Sequence, residues 1–327
     1  METRRLEILV ELSRLGSMRA VAEVLSTTTS TVSQQIAALA RETGAALIEP
    51  DGRRVRLTPA GRRLAEHAVS ILAAVEAARL DLSPEGEPSG TVRVAGFGTA
   101  IRAHLLPIVA ELAESNPRLR LLVREHEPDE ALRVLAADEA DLALTYDFNL
   151  APAEADATVR TTPLWSTLWG LGVPAERATA QGGAGTALEI FARFGGDDWI
   201  VNSRNTADED VVRTLASMAG FAPRITHKAD NLDLVQDMIA AGLGVGLLPM
   251  DHPPLPGVRI LPLAHPRVEL RAYAVARHGR LDWPPLAAMT DLLTARTGAG
   301  GARTGSGGAR TGADRTGAEA DHGGSPR

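Results

Sequence analysis

The chain of 327 residues contains no cysteine, and Lys228 is its only lysine. Without thiols it can form no disulfide, thiolate metal site, cysteine nucleophile or thiol redox switch. Its cations are otherwise arginines, a bias that reads as GC-rich codon usage rather than chemistry. No apolar run approaches the roughly 20 residues that a membrane-spanning helix needs, so no membrane partner is expected. The opening segment METRRLEILVELSRLG is punctuated by acids and lacks the apolar core of a secretion signal. The protein is therefore expected to stay in the cytoplasm. His104, His126, His227 and His252 are scattered, without the i, i+4 pairing typical of zinc. No nucleophile elbow, phosphate loop or pair of catalytic carboxylates occurs. GLGVG at 242–246 follows a helical pattern and precedes a strand, the reverse of a dinucleotide fingerprint. An enzyme, a cofactor and a metal are thus not expected.

What is present is a soluble composition, 44% hydrophobic and 23% charged, long enough for two domains. The net charge of −7 is unevenly spread. Residues 1–64 hold ten arginines against seven acids, a net +3, which leaves −10 for the remainder. Positive charge near one end and an acidic remainder suit a local contact with nucleic acid.

The most informative run is Gly16 to Leu47. Before it, Leu6, Ile8, Leu9, Val10 and Leu12 give a first helix an apolar face that Gly16 ends. Met18, Val21, Ala22 and Leu25 form the core side of a second helix. After the turn Ser26–Thr29, Thr28 is placed to cap a third helix, since its hydroxyl can accept an amide proton. Val32, Ile36 and Leu39 repeat at i, i+4, i+7 and point inward. Ser30, Ser33, Gln34, Ala37 and Arg41 are thereby turned to the other side or its flank. Gly44 closes this helix, and a hairpin around Asp51-Gly52 follows, with Arg53, Arg54 and Arg56 on it. That is the layout of a helix-turn-helix DNA reader with a basic wing.

A long helix begins at Thr58-Pro59. Gly61, Leu64, Ala68, Ile71, Val75, Ala78 and Leu82 follow a 3-4-3-4 spacing that suits pairing with the same helix of another subunit. Leu64, Ala68, Ile71 and Val75 are the expected dimer contacts, and packing on its own domain is the alternative. A Pro/Gly-rich linker, SPEGEPSG, comes next. From Thr91 strands alternate with helices, which implies a largely parallel sheet covered on both faces. The alternation repeats after Pro163, so a bilobed module with a cleft at its strand ends is expected. From Arg296 onward Gly, Ala, Arg and Thr recur without large apolar residues, a composition that cannot bury a core.

Order and spacing over about residues 4–295 resemble the LysR-type transcriptional regulators. The specific part is LSRLGSMRAVAEVLSTTTSTVSQQIAALARETGAALIEPDGRRVRLTPAGRRL, which runs the family pattern without a gap. NPRLRL, DEADLAL, VQDMIAAGLGVGLLP and Trp199-Ile200 also fall where the family has them. The resemblance implies an α/β protein with a winged helix-turn-helix at 1–58, a linker and dimerisation helix at 59–82 and a hinge at 83–90. It implies a bilobed effector domain, like the periplasmic binding proteins, at 91–295; the tail at 296–327 lies outside the match and is expected to be disordered from its composition alone. The implied partners are double-stranded promoter DNA, a small-molecule effector, further copies of the chain as a dimer or tetramer, and RNA polymerase as a candidate. Arg19, Thr28, Thr29, Ser30, Ser33, Gln34, Arg53, Arg54 and Arg56 form the implied DNA-binding set. Thr28 matches the family's serine cap, Thr29 a position often Gln, and Ser33 a recurrent serine. Ser30 stands where Pro is frequent, Gln34 where Arg is frequent, and Pro50 where the wing is usually basic. The target sequence is accordingly not transferable from relatives.

In the effector half, the amides of Gly96–Ala100 and the hydroxyl of Thr99 offer an anion site at the start of a helix. A tight turn without a ligand is an equal reading of the glycines. By position, Gly98, Thr99, Ala100, Tyr146 and Phe148 line one side of the cleft. Asn202, Ser203, Asn205, Thr206 and Asn231 line the other, with Arg102 and Arg204 nearby. The expected effector is a small, weakly acidic or neutral metabolite. The alternative reading of the whole chain is a cytoplasmic small-molecule binder whose N-terminal domain serves mainly dimerisation.

Overall fold

The computed structural model describes residues 1–51, 54–82, 87–154, 156–181 and 185–301. The first domain is three helices and a hairpin: α1 (Thr3–Leu15), α2 (Met18–Val24), α3 (Thr29–Thr43), β1 (Ile48–Asp51) and β2 (Arg54–Leu57). Leu6, Leu9, Val21, Val32, Ile36 and Leu39 share one core, as their helical spacing requires. Val55 and Ile48 pack against it from the hairpin.

Helix α4 (Pro59–Asp81) starts with Thr58 as cap, its hydroxyl accepting the Gly61 amide at 3.0 Å, and Pro59 in the first turn. Its inward face differs from the expected seam. Ala65 and Ala68 belong to the core of the DNA-binding domain, and Ala68 is wholly inaccessible. Ala68 therefore cannot touch a partner helix. Leu64 is half-buried on that same core, while Val75 is half-buried and Ile71 is 37% exposed. The reason is geometric. Gly61, Ala65, Ala68 and Leu72 repeat at i, i+4, i+7, i+11 and lie on the side turned to α1, which packs on α4. The apolar side left open is Ile71, Ala74, Ala78 and Leu82.

The second domain runs β3 (Gly90–Gly96), α5 (Gly98–Ala100), a π turn (Ile101–Leu105), a 3-10 turn (Leu106–Ile108), α6 (Val109–Ser115) and β4 (Leu119–Glu125). It continues through α7 (Pro128–Ala136), β5 (Leu142–Phe148), β6 (Val159–Pro174), α8 (Ala175–Gln181), α9 (Ala187–Arg193) and β7 (Asp198–Val201). It closes with α10 (Ala207–Met218), β8 (Arg224–Lys228), α11 (Leu232–Ala240), β9 (Val245–Pro249), β10 (Val258–Pro262), β11 (Val268–Arg277) and α12 (Pro284–Gly301). Between α5 and α6 the helical path runs through π and 3-10 turns, where Pro107 withholds its amide.

One sheet joins the two halves in the order β4-β3-β5-β11-β6-β9-β7-β8, with β10 on β6. β3 pairs in parallel with β4 and β5, and β7 with β8 and β9, as the alternation of elements predicts. The centre departs from that pattern. Both β6 and β11 cross between the halves and pair antiparallel with each other and with their other neighbours. A single apolar core, from Val92 and Leu142 to Trp199 and Val245, runs through both lobes. Helix α12 extends to Gly301 with Thr297 buried, so the ordered domain outlasts the expected boundary at 295. The rest of the expected tail, 302–327, and half of the linker, 83–86, lie outside the described residues.

Candidate nucleic-acid interface and effector cleft

The N-terminus of α3 is built by its cap. Thr28 Oγ1 accepts the Thr31 amide at 3.1 Å and sits 2.8 Å from the hydroxyls of Ser30 and Thr31. Just before it, Ser26 takes a left-handed backbone that turns the chain from α2 into α3. With Val32, Ile36 and Leu39 buried, Thr29, Ser30, Ser33, Gln34 and Ala37 are exposed along the other face. This surface is polar and carries no carboxylate. Short hydroxyls can bond phosphate or a base edge there, and an amide can pair with adenine.

Apart from Arg41, exposed on the last turn of α3, charge flanks this face rather than lying on it. Arg19 on α2 is exposed but paired with Glu23 at 3.0 Å. Arg56 on the wing pairs across the hairpin with Glu49 at 2.8 Å, opposite which it stands in register. Arg54 is placed on β2 by its backbone, and Arg53 and Gly52 lie outside the described residues. Arg62 and Arg63, at the start of α4, are exposed beside the wing's last strand. Arg62 donates to the Leu57 carbonyl at 2.8 Å. Neither was anticipated, although two arginines directly after a helix cap were legible as charge at an exposed first turn.

In the second domain, residues from both halves meet at the strand ends. Tyr146, near the end of β5, donates to Glu127 Oε2 at 3.1 Å. Asn205, in the segment between β7 and α10, donates to Glu127 Oε2 and to the Tyr146 hydroxyl at 2.7 Å each. Asn202 lies 3.3 Å from that hydroxyl, and its backbone amide donates to Asp208 at 2.8 Å. Arg204 bridges the halves, with Glu125, Glu127, Glu130 and Asp230 all 3.3–3.7 Å from its guanidinium. Tyr146, Asn202 and Asn205 are thus brought together as expected.

Other expected cleft residues are spent elsewhere. Phe148 is in the core, edge-on to Trp169 at 5.2 Å, because two residues along a strand from Tyr146 the same sheet face is already covered. Ala100 is also fully buried. Asn231 caps α11, accepting the amides of Asp233 and Leu234. Thr206 is exposed and donates to Asp210 at 3.0 Å. Thr99 is exposed and Gly98 half-buried, but the Glu125 carboxylate lies beside Gly98.

The cleft is acidic. Burial pushes the Glu127 carboxyl up, with Asp230 adding to the effect. Burial likewise raises Asp208, to about 7, although the backbone amides of Asn202, Glu209 and Asp208 itself oppose the rise. The Tyr146 phenol is also pushed well up by burial. A carboxylate ligand at the Gly96–Ala100 turn would add negative charge where one guanidinium already serves four carboxylates. Glu127, Asp208 and Asp230 were missed because acids at strand ends look like ordinary solvated residues. The hint for Glu127 was its capping box with Glu130 at the start of α7.

Residues 3–62 match the model for the bacterial regulatory helix-turn-helix protein of the lysR family, and residues 85–298 match the LysR substrate binding domain. Transcriptional dual regulator GltC of Bacillus subtilis (strain 168) is 26% identical over 253 residues, covering 76% of this chain and 81% of the relative. The DNA-binding transcriptional dual regulator OxyR of Escherichia coli (strain K12) is 27% identical over 251 residues, 76% and 79% of the two chains. Among solved structures, full-length OxyR of Pseudomonas aeruginosa superposes with a TM-score of 0.65 at 20% identity, covering 90% of this chain and 94% of the other. ArgP of Mycobacterium tuberculosis gives 0.63 at 20% identity, with 91% and 97% covered. These similarities show a shared fold, and the two models together span nearly all the described residues. The chain belongs to the LysR family of transcriptional regulators.

Proposed function

We propose that the protein is a cytoplasmic regulator that binds promoter DNA as a dimer or tetramer and is controlled by a small molecule in the cleft between its lobes. The observation that carries this is the capped, carboxylate-free face of α3, with Thr29, Ser30, Ser33 and Gln34 exposed next to the wing. Gln34 reads a base edge, and Thr28, Arg54, Arg56, Arg62 and Arg63 hold the backbone. A second copy pairs through the open side of α4, where Ile71, Ala74, Ala78 and Leu82 are exposed among the described residues. The acidity around Arg204 favours a neutral or cationic effector over an acidic one. RNA polymerase is a further partner of this reading.

The test is fluorescence anisotropy of the full chain on duplex DNA from directly upstream of its own coding sequence. Binding should weaken steeply with salt. Gln34→Ala should lower affinity for that duplex by about tenfold while leaving affinity for unrelated duplex unchanged. Equal affinity for both duplexes at every salt concentration would instead favour a small-molecule binder that dimerises through its N-terminal domain.

A further inference from the structure

Helix α4 meets the effector domain of its own chain at a point of near backbone contact. Gly279, just after β11, has a left-handed backbone at φ +73°. A side-chain carbon on it would fall 1.9 Å from Ser70 Oγ and 2.4 Å from Ser70 Cβ. Ser70 donates its hydroxyl to the neighbouring His278 carbonyl at 3.3 Å. Val69 and Ala73 next to it on α4 are buried, and α4 also packs on α12.

The loop that receives Ser70 is anchored in the domain. His278 Nε2 lies 3.0 Å from the Ala157 carbonyl, at the approach to β6. Arg280 donates to Asp141 at 2.7 Å and lays its guanidinium 3.8 Å from the centre of the Trp283 ring. Asp141 is wholly buried and is also held by Arg93 at 2.9 Å. Gly90, where the chain enters β3, lies against the same Trp283 ring. Ser70 in the middle of α4 and Gly90 at the start of β3 therefore rest on one loop. That loop is the direct continuation of β11, a strand shared by the two lobes.

We infer that the Ser70–Gly279 contact is the joint that sets the pose of the DNA-binding domain on the effector domain. A shift of β11 acts on α4 at this point, because no side-chain carbon fits between Gly279 and Ser70. Its role in control rests on the function proposed above, but the joint itself exists without effector or DNA and is tested without them.

The lack of native cysteine allows a direct measurement. Exposed Ser13 and Ser217 are changed to cysteine and spin-labelled, one in each domain, in the full chain diluted with unlabelled chain. Pulsed electron resonance then reads the distance within one chain. Gly279→Ala forces the contact apart by about 1.5 Å, the gap between the clash and ordinary contact, and should shift or broaden the distance distribution. Adding Ser70→Gly removes the two nearest atoms and should move the distribution part of the way back, since the Ser70 Cα stays 2.8 Å from the added carbon. Ser70→Phe, which leaves the loop backbone unaltered, should displace the distribution in the same sense and decides the matter if Gly279→Ala does not fold. An unchanged distribution in folded Gly279→Ala or Ser70→Phe chains overturns the joint, as does a Gly279→Ala distribution that Ser70→Gly does not move at all. The DNA-binding reading stands or falls separately, on the anisotropy measurement.

Discussion

Arg204 on one lobe lies 3.5 Å from Glu127 on the other, 77 residues earlier in the chain. The far oxygen of the same carboxylate receives Tyr146 and Asn205. Glu127 is 5% exposed, so its charge is tolerated only because donors from both lobes converge on it. The two lobes are thereby tied together where their strand ends meet.

Removing Asn205 should expose the cost of that arrangement. Asn205→Ala deletes donors to Glu127 and Tyr146 and leaves buried acceptors short of partners. Stability of the effector domain should fall by about 1–3 kcal/mol. Urea unfolding measures this. A midpoint equal to that of the parent chain would mean water replaces the amide at no cost.

The raised carboxyl of Asp208 predicts a pH dependence with a definite sign. Its folded value of about 7 exceeds the ordinary 3.8, so between them the folded state holds the proton more tightly than the unfolded one. Its contribution to stability is then present below pH 4, declines as pH rises through about 7, and is flat above that. Asp141 acts oppositely. Burial would raise it, but Arg93 and Arg280 outweigh burial and hold it down to about 2. Its contribution is present above pH 4 and lost as pH falls towards 2. Melting temperatures between pH 5 and 8 should fall with rising pH in the parent chain and vary less in Asp208→Asn.

The cap at α3 ties local structure to DNA binding. Thr28→Ala removes the acceptor of the Thr31 amide and should cost about 1 kcal/mol, whereas Thr28→Ser should be nearly neutral. Promoter affinity should follow the same order, since fraying misplaces Thr29 and Ser30. Thermal melts and anisotropy on the two variants check both halves of this statement.

The two sides of α4 should respond differently. Ala68→Leu overfills the core of the DNA-binding domain and should cost about 1–3 kcal/mol. Ile71→Glu places charge on the open side, should leave the monomer fold intact, and should lower oligomer mass in sedimentation equilibrium. Were Ile71→Glu to sediment like the parent chain, pairing would have to use another surface.

The sequence by itself determined the DNA-binding half. Helices α1 to α3, the Thr28 cap, the hairpin and the polar face of α3 all follow from spacings of three or four residues and from a local hydroxyl. These interactions form between near neighbours, so their pattern is written along the chain. The strand and helix alternation of the second domain was legible for the same reason, as were Tyr146, Asn202 and Asn205 by position. Only tertiary structure decided which side of α4 faces inward, since Ala68 and Ile71 are equally apolar and the packing of α1 chooses between them. It also turned Phe148 into core while leaving Tyr146 at the cleft. Above all, it assembled Glu127, Arg204 and Asp230 and set Ser70 on Gly279. Those contacts join residues from 26 to about 200 positions apart, through strands that cross between lobes. A carboxylate looks the same in a sequence whether water or a guanidinium will neutralise it, and the folded sheet makes that choice.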